Sequence, residues 1–560
     1  MQRIWNIKKR DNKLENQLSQ NLRVSKILSQ LLVNRGIRDP EGASRFLNPK
    51  LALLSSPDSL PDLSLALSRI KKAIKNKEKV MIFGDYDVDG LTATALLKSI
   101  FKELGLEVIH YLPHRINEGY GLNKGAVKLA KKEGVRLLVT VDCGTNSFEE
   151  IAQLKRLDID VIVTDHHQPI CEDLPCALAI INPKRKDSKY GYRDLAGVAV
   201  AYKFAQGLTL KPLEEYLDLV CLGTIADVVP LTDENRIIAK EGLSFFSQTK
   251  NLGLIALLQQ SGMKNSLINA TSISYIIAPR INASGRIDTA EVSLKLLLTD
   301  SPQEAEELAR KVCLLNSQRQ GIENRMLKEA LDIIEKEINF KEHRVIVVAK
   351  EGWHPGVLGI VASKIKDIFH RPTVVISTND NLCRGSARSI NNFHILEALL
   401  ECKDILAAFG GHQRAAGLSI IKDNIKLFRN RLNHIATERL DLTDLYPCLD
   451  IDMELRFSDL DEGLIREIEL LEPFGEANPK PIFYTPGLCL KSEPEILNKN
   501  TLRCWITDGE FTYKAVGFNM AGLKNRIENC RSFELAYSLH LDKWYDPPNI
   551  ELEIEDVRLV

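Results

Sequence analysis

The spacing of apolar residues changes character several times along this chain, and each change marks a structural regime. Val24, Ile27, Leu28, Leu31 and Leu32 fall at helical spacing ahead of Gly36, which predicts a small N-terminal helical segment. Pro57, Asp58, Ser59 and Pro61 then read as a linker. From Lys79 onward, short apolar runs at 80–83, 107–112, 136–141 and 160–164 alternate with helical stretches near 92–104, 123–133 and 147–157. Such alternation predicts an α/β domain with a mostly parallel sheet covered by helices on both faces. Ser301-Pro302-Gln303-Glu304 has the form of a capping box with proline at the first helical position, and helical character follows to about 338 with a soft interruption at Gly321. Strand-like runs at 344–349 and 372–377 around a helix near 357–368 predict a second, smaller α/β domain. After Tyr446-Pro447 the pattern becomes short strands with turns, at 449–455, 481–484, 502–506, 513–518, 533–541 and 550–560, as in a small β-barrel. The expected organisation is therefore an N-terminal segment (1–60), an α/β domain (61–300), a connector helix (301–340), a second α/β domain (341–440) and a C-terminal barrel (445–560).

Composition adds exclusions. With 560 residues, 44% hydrophobic and 27% charged, the chain can build several buried cores of an ordinary soluble protein. A net charge of -1 excludes a grip on nucleic acid through bulk positive charge, so any basic surface must be local. The 11 cysteines include no C-x-x-C pair, which argues against a disulfide framework or zinc ribbon and fits a reducing cytoplasm. Lys8, Lys9 and Arg10 are not followed by the apolar run of a secretory signal, and no run of about 18 apolar residues would span a membrane. With no large apolar surface stripe, a monomer is the default expectation.

Chemistry enters directly after the first apolar run, in Gly84-Asp85-Tyr86-Asp87-Val88-Asp89-Gly90. Alternate spacing places Asp85, Asp87 and Asp89 on one face of an extended chain, to converge as it turns at Gly90. Three carboxylates so close repel one another unless a cation neutralises them, and hard oxygen ligands favour Mg2+, Mn2+ or Ca2+. A calcium loop of the EF-hand type is excluded because its twelfth position is Leu96 rather than glutamate and a strand, not a helix, precedes it. Asp142 ends the third run, the fourth leads straight into Asp165-His166-His167, and Asp227 follows a later helical stretch. Singly, each acid could be a helix cap. Together at the carboxyl edge of one sheet, where such folds bind ligands, they resemble a two-metal hydrolase site. In the second α/β domain, the Gly-rich segments 385–389 and 410–417 are either tight turns or bring backbone amides, Arg388, His412 and Arg414 within reach of a phosphate. Trp505, Tyr513, Phe518, Trp544 and Tyr545 of the barrel are either core residues or platforms for bases.

The motifs GDYDVDG, VDCGTN, TDHH and GTIADVVP, in this order, resemble the DHH phosphoesterase superfamily. APRINASGR, GWHPGVLGIVASK, GSARS and GGHQRAAG resemble one branch of it, the RecJ family of bacterial single-strand-specific exonucleases. The resemblance implies a DHH domain, a DHHA1 substrate-binding domain whose cleft faces the metal site, and an OB-fold at the C-terminus. It implies two Mn2+ or Mg2+ ions held by Asp87, Asp89, Asp142, His166 and Asp227, with Asp142 bridging and Asp85 either a ligand or an acceptor that orients water. Asp165 then supports His166 or His167. His167 contacts the scissile phosphate or protonates the departing 3′ oxygen, and Arg280 neutralises transition-state charge. Arg115, Ser386 and Arg388 form a pocket for a 5′ phosphate, with His412 at the nucleic-acid surface. Many small DHH phosphatases carry a histidine where this chain has Phe83, which implies weaker occupancy of one metal position or a preference for Mn2+.

The implied activity is 5′ to 3′ hydrolysis of single-stranded DNA to mononucleotides, in recombination and repair in the bacterial cytoplasm, with a helicase and a single-strand-binding protein as partners. The alternatives are a nuclease or phosphatase acting on short RNA or nucleoside bisphosphates, and a non-catalytic DNA-binding replication scaffold. The scaffold is disfavoured because every acidic position of the cluster is present.

Overall fold

The protein is described by a computed structural model over residues 3–263, 267–542 and 549–559. The chain forms two compact units, one of residues 55–229 and 242–446, the other of residues 1–54, 230–241 and 447–560.

The N-terminus contributes β1 (Ile4–Ile7) and helices α1 (Asn12–Leu22), α2 (Lys26–Asn34) and α3 (Pro40–Leu47). Leu28, Leu31 and Leu32, which mark the helix in the sequence, are buried on α2 in one core with Phe483, Leu502 and Tyr537 of the C-terminal barrel. The N-terminal segment is thus part of the C-terminal unit, anchored by parallel pairing of β1 with residues 448–451. A four-residue strand whose partner lies more than 400 residues away leaves no local signal. The proline-marked linker contains one 3₁₀ turn (Pro57–Ser59) and leads into α4 (Leu63–Asn76), where Leu63, Ala66, Ile70 and Ala73 are buried at helical spacing ahead of the first strand of the α/β domain.

The first α/β domain is built on β2 (Lys79–Gly84), β3 (Glu107–Tyr111), β4 (Leu137–Val141), β5 (Asp160–Thr164) and β6 (Ala179–Ile181). They form one all-parallel sheet in the order β3-β2-β4-β5-β6. Every residue of β4 is buried, the pattern of a strand covered on both faces. Crossovers run through α5 (Val88–Glu103), α6 (Lys124–Lys132) and α7 (Phe148–Arg156); α8 (Gly197–Thr209) and α9 (Leu217–Ala226) follow the sheet and pack against α5. Further helices are α10 (Asp233–Ser247), α11 (Leu252–Gln260), the short α12 (Ala270–Ser272), a π turn (Ile273–Ile277), α13 (Ala278–Ile287) and α14 (Glu291–Leu298).

The connector is one unbroken helix, α15 (Pro302–Glu337), running through Gly321. Ser301 caps it by accepting the Glu304 N–H, but the reciprocal half of the box is not made because the Glu304 carboxylate accepts from the Thr299 hydroxyl instead. The second domain carries β7 (Ile346–Lys350), α16 (Leu358–Phe369), β8 (Thr373–Ser377), β9 (Leu382–Arg388), α17 (Ile395–Leu400), β10 (Leu406–His412), β11 (Ala415–Ile421) and α18 (Ile425–Arg439), with sheet order β10-β11-β9-β8-β7. Its Gly-rich segments are mostly strand rather than turn. Gly410 pairs with Gly417, which pairs with Ser386, so that this part of the sheet presents a floor with few side chains.

The C-terminal part contains β12 (Cys448–Ile451), β13 (Met453–Glu454), β14 (Phe483–Leu490), β15 (Glu495–Leu497), β16 (Thr501–Thr507), β17 (Thr512–Gly517), β18 (Phe533–Asp542) and β19 (Asn549–Leu559). β14 pairs with both β18 and β16, which closes the sheet on itself as an OB-like barrel. Trp505 and Phe518 are exposed, whereas Tyr513 packs against the barrel core and donates to the carbonyls of Phe457 and Leu460. Trp544 and Tyr545 lie outside the described residues. Among the described residues no helix is long and apolar enough to cross a membrane.

Candidate metal centre and adjoining cleft

The strand ahead of the acidic motif ends at Gly84, so the three aspartates do not share an extended face as their spacing suggests. The chain turns immediately into α5, with Asp87 as its N-cap accepting from the N–H groups of Asp89 (3.0 Å) and Gly90 (3.2 Å). Gly90 is required by close approach, because a Cβ there would lie 2.6 Å from the Asp85 nitrogen. Asp89, on the first turn of α5, accepts from the Gly197 (2.6 Å) and Val198 (2.7 Å) amides at the N-terminus of α8, where the helix dipole favours an anion.

The other groups arrive from neighbouring strand ends. Asp142 follows β4 in the left-handed backbone region at φ 60°. His166 follows β5, and Asp227 closes the C-terminus of α9. The His166 Nε2 atom lies 3.2 Å from Asp142 Oδ1, 3.6 Å from Asp227 Oδ2 and 3.8 Å from Asp89 Oδ2. Three overlapping sets each bring their ligand atoms within 4.8 Å of one another: Asp85, Asp87 and Asp142; Asp89, His166 and Asp227; and Asp142, His166 and His167. Asp142 and His166 each belong to two of them.

The electrostatics call for a cation. Burial, and then the charge of Asp87, pushes the Asp85 carboxyl well above its ordinary range and that of Asp89 up to about 7. Burial followed by the charge of Asp89 raises Asp142 and Asp227 in the same way. Burial, and then the neighbouring His167 charge, brings His166 down to about 3 and leaves its imidazole neutral, the form that ligates metals. Oδ1 of Asp85, Oδ1 of Asp142 and both ring nitrogens of His166 are buried without a hydrogen-bond partner. Orphaned oxygens and an imidazole converging from four directions fit a pair of hard divalent cations.

Asp165 is placed differently. Its carboxylate accepts from the backbone N–H groups of Thr145 (2.9 Å), His166 (2.7 Å) and His167 (3.0 Å) and from His167 Nδ1 (2.8 Å). Burial works to raise its pKa, but the charge and hydrogen bond of His167 outweigh that and hold it well below the usual carboxylate range. Asp165 therefore orients His167, whose side chain is 41% exposed. Phe83 is buried and stacks on Tyr111, contributing no ligand atom. Arg280 on α13 donates to the Ile276 carbonyl (2.6 Å) in its own helical stretch. From α13, Asn282 reaches the acidic loop and accepts the Val88 N–H at 3.2 Å.

In the same unit a cleft of about 710 Å³ is lined by Tyr86, Arg115, Tyr120 and Arg286 from the first domain and by Arg384, Ser386 and Arg388 from β9. Arg115 lies over the Tyr86 ring at 4.6 Å, and Arg388 bonds to the Ser386 hydroxyl at 3.0 Å. Among the described residues no carboxylate pairs with Arg115, Arg286 or Arg388. Burial, and then the charges of Arg115, Arg319 and Arg388, lowers Arg286 to about 9; burial and Arg115 lower Arg388. His412, at the end of β10, has its imidazole pKa lowered by burial and then by the charges of Arg388, Arg414 and His167. Guanidinium groups clustered around a cleft without a carboxylate in ion-pair contact suit an anion.

Three contributors escape sequence reasoning. The Gly197 and Val198 amides have no motif because backbone donors carry no residue signature. Arg286 sits inside a recognised motif without a role, and Tyr120 is marked only by its two flanking glycines. Gly197 provides a direct test, since a Cβ there would stand 2.7 Å from Asp142 Oδ1. Gly197→Ala must displace either the Asp142 carboxylate or the start of α8. A fall in hydrolysis of at least ~10-fold is expected, with a destabilisation of about 1–3 kcal/mol visible in thermal melting. Unchanged turnover would show that the contact is slack.

A buried aspartate and histidine cluster at the carboxyl edge of a parallel sheet, beside a cationic cleft on a second α/β domain, defines a metal-dependent phosphoesterase of the DHH class. Residues 79–224 match the family description "DHH family, N-terminal domain", 342–438 the DHHA1 domain and 451–556 the RecJ OB domain. Over 555 residues the chain is 38% identical to the single-stranded-DNA-specific exonuclease RecJ of Bacillus subtilis (strain 168), covering 99% of this chain and 70% of that protein. The crystal structure of RecJ from Thermus thermophilus in complex with Mn2+ superposes with a TM-score of 0.86 at 30% identity, covering 100% of this chain and 80% of that one. The complex of the same Thermus thermophilus protein with Mg2+ gives 0.80 at 28% identity, covering 100% and 78%. The chain belongs to the RecJ family.

Proposed function

We propose that the protein is a metal-dependent exonuclease that degrades single-stranded DNA from its 5′ end and releases 5′-mononucleotides, in recombination and repair. The observation that carries this reading is the junction of the two sites. Tyr86 stands between Asp85 and Asp87 in the acidic loop and also supports Arg115 in the cationic cleft. A terminal phosphate held by Arg115, Ser386 and Arg388 therefore directs the adjacent phosphodiester toward the carboxylate cluster, which sets polarity.

Asp87, Asp89, Asp142, His166 and Asp227 would hold two Mn2+ or Mg2+ ions, with Asp142 the group placed to serve both and Asp85 as a further ligand or acceptor for water. When bound, such ions neutralise the phosphodiester and make water a competent nucleophile at neutral pH. The chain's own groups do the rest. Asp165 fixes His167 through Nδ1, which leaves Nε2 to contact the phosphate or deliver a proton to the departing 3′ oxygen. Arg280 supplies positive charge to the transition state once substrate draws its guanidinium from the Ile276 carbonyl. His412 adds a polar group beside Arg388. The exposed Trp505 and Phe518 suit stacking with bases of a long strand. A bacterial cytoplasmic monomer supplied with substrate by a helicase and a single-strand-binding protein completes the reading.

The test is incubation with a 5′-phosphorylated single strand, a duplex and a short RNA, with Mn2+ or Mg2+. Mononucleotide release confined to the single strand supports the proposal. No release with either metal overturns it, and release confined to RNA transfers the activity to short RNA.

A further inference from the structure

Besides Tyr86, a second side chain joins the metal centre to the cleft. The loop after β3 is braced by Glu118, which accepts from the Tyr111 hydroxyl (2.5 Å) and the His114 N–H (2.7 Å). It carries Arg115 at one end and Tyr120 at the other. Gly119 and Gly121 flank the tyrosine with φ of 80° and 89°, a left-handed pair that a side-chain-bearing residue adopts only with strain. The turn pushes Tyr120 out into the cleft. The residue is 50% exposed, yet its hydroxyl lies 2.9 Å from His167 Nδ1 and donates to the Asp142 carbonyl at 3.1 Å.

The hydrogen-bond assignment follows from the neighbours. The His167 Nδ1 proton is directed to Asp165 Oδ1 at 2.8 Å, so the phenol oxygen serves as a second acceptor of that proton while its own proton goes to Asp142. A single hydroxyl thus ties the imidazole to the backbone of the residue placed between the two metal sets. The ring is tilted 53° to His167 with centroids 5.1 Å apart, and it shares the cleft with Arg115, Ser386 and Arg388.

We infer that Tyr120 is a positioning and substrate-orienting residue, its hydroxyl holding the His167 ring in register with Asp142 and its exposed ring stacking on the base beside the scissile phosphate. A stacked aromatic suits an enzyme that must accept every base, since each has a π face. The division of labour within one side chain also makes it separable by substitution.

This inference rests on the proposed placement of His167 at the reacting phosphate. The experiment measures kcat and KM on a 5′-phosphorylated single strand for the wild type, Tyr120→Phe, Tyr120→Leu, His167→Ala and the Tyr120→Phe/His167→Ala double variant. Tyr120→Phe is expected to lower kcat roughly 10-fold with KM within about twofold, as for loss of one hydrogen bond in a network. Tyr120→Leu is expected to lower kcat similarly and to raise KM roughly 10-fold through lost stacking. In the His167→Ala background the hydroxyl deletion should cost less than about twofold, because the ring it positions is absent. If Tyr120→Phe retains wild-type kcat, or costs the same with and without His167, the inference falls. If His167→Ala itself leaves kcat unchanged, the fault lies in the placement of His167. Equal KM for the Phe and Leu variants would remove the stacking half.

Discussion

Replacement of Asp142 by alanine is expected to abolish hydrolysis, by at least ~10³-fold, while leaving single-strand binding largely intact. Asp142 Oδ1 is buried, has no hydrogen-bond partner and belongs to both the Asp85/Asp87 set and the His166/His167 set. Among the described residues no other carboxylate occupies that middle position. The groups proposed to bind the strand, by contrast, lie on the cleft and the barrel surface. The same change should not unfold the protein, because it removes one of several mutually repelling buried acids. The left-handed backbone at this position disfavours alanine by about 1–2 kcal/mol, so Asp142→Asn is the cleaner variant, since asparagine tolerates that conformation. Rates on a labelled strand, calorimetric titration with Mn2+ and thermal melting check the three parts. Near-normal turnover in Asp142→Asn would refute the shared-ligand role.

Arg388→Ala is expected to reduce the preference for a 5′-phosphorylated strand over a 5′-hydroxyl strand by roughly 10–100-fold, the loss that follows removal of a charge-assisted hydrogen-bonding group. Arg388 is one of three clustered guanidinium groups with no carboxylate partner among the described residues, and Gly359 leaves it room, since a Cβ there would lie 2.6 Å from Arg388 Nη2. Hydrolysis of the 5′-hydroxyl strand should change little. Stability should hold or rise, because burial and the like charge of Arg115 both weigh against Arg388 in the folded state. Arg115→Ala should follow the same course, with additional loss from uncovering Tyr86. An unchanged phosphate preference in both variants would remove the pocket, and a large fall in melting temperature would show that the cluster is structural.

Much of this protein is written locally. The runs 80–83 and 160–164 predict strands because continuous apolar stretches of that length pack on two faces, and β2 and β5 form there. Ser301-Pro302 announces α15 by cap chemistry alone. The acids that gather at the metal centre also stand out, because ligands at strand ends are an address within a parallel sheet. The glycine segments 385–389 and 410–417 are ambiguous in the sequence for a definite reason. Glycine permits turns, but it also clears one face of a strand, and only pairing of Gly410, Gly417 and Ser386 across three strands selects the second use.

The sequence by itself determined the alternating strands and helices from β2 to β5, the long connector helix and the residue types that seek a cation. Both follow from short-range rules of burial, capping and charge repulsion. Only the tertiary structure decided which acids are orphaned and which are engaged. It gave Asp165 four hydrogen-bond donors and left Asp142 Oδ1 with none. It also brought Tyr120 to His167 across 47 positions and joined the first strand to β12 across more than 400. Contacts between chain segments so far apart depend on closing long loops around a common core, and no local pattern encodes which partners that closure selects.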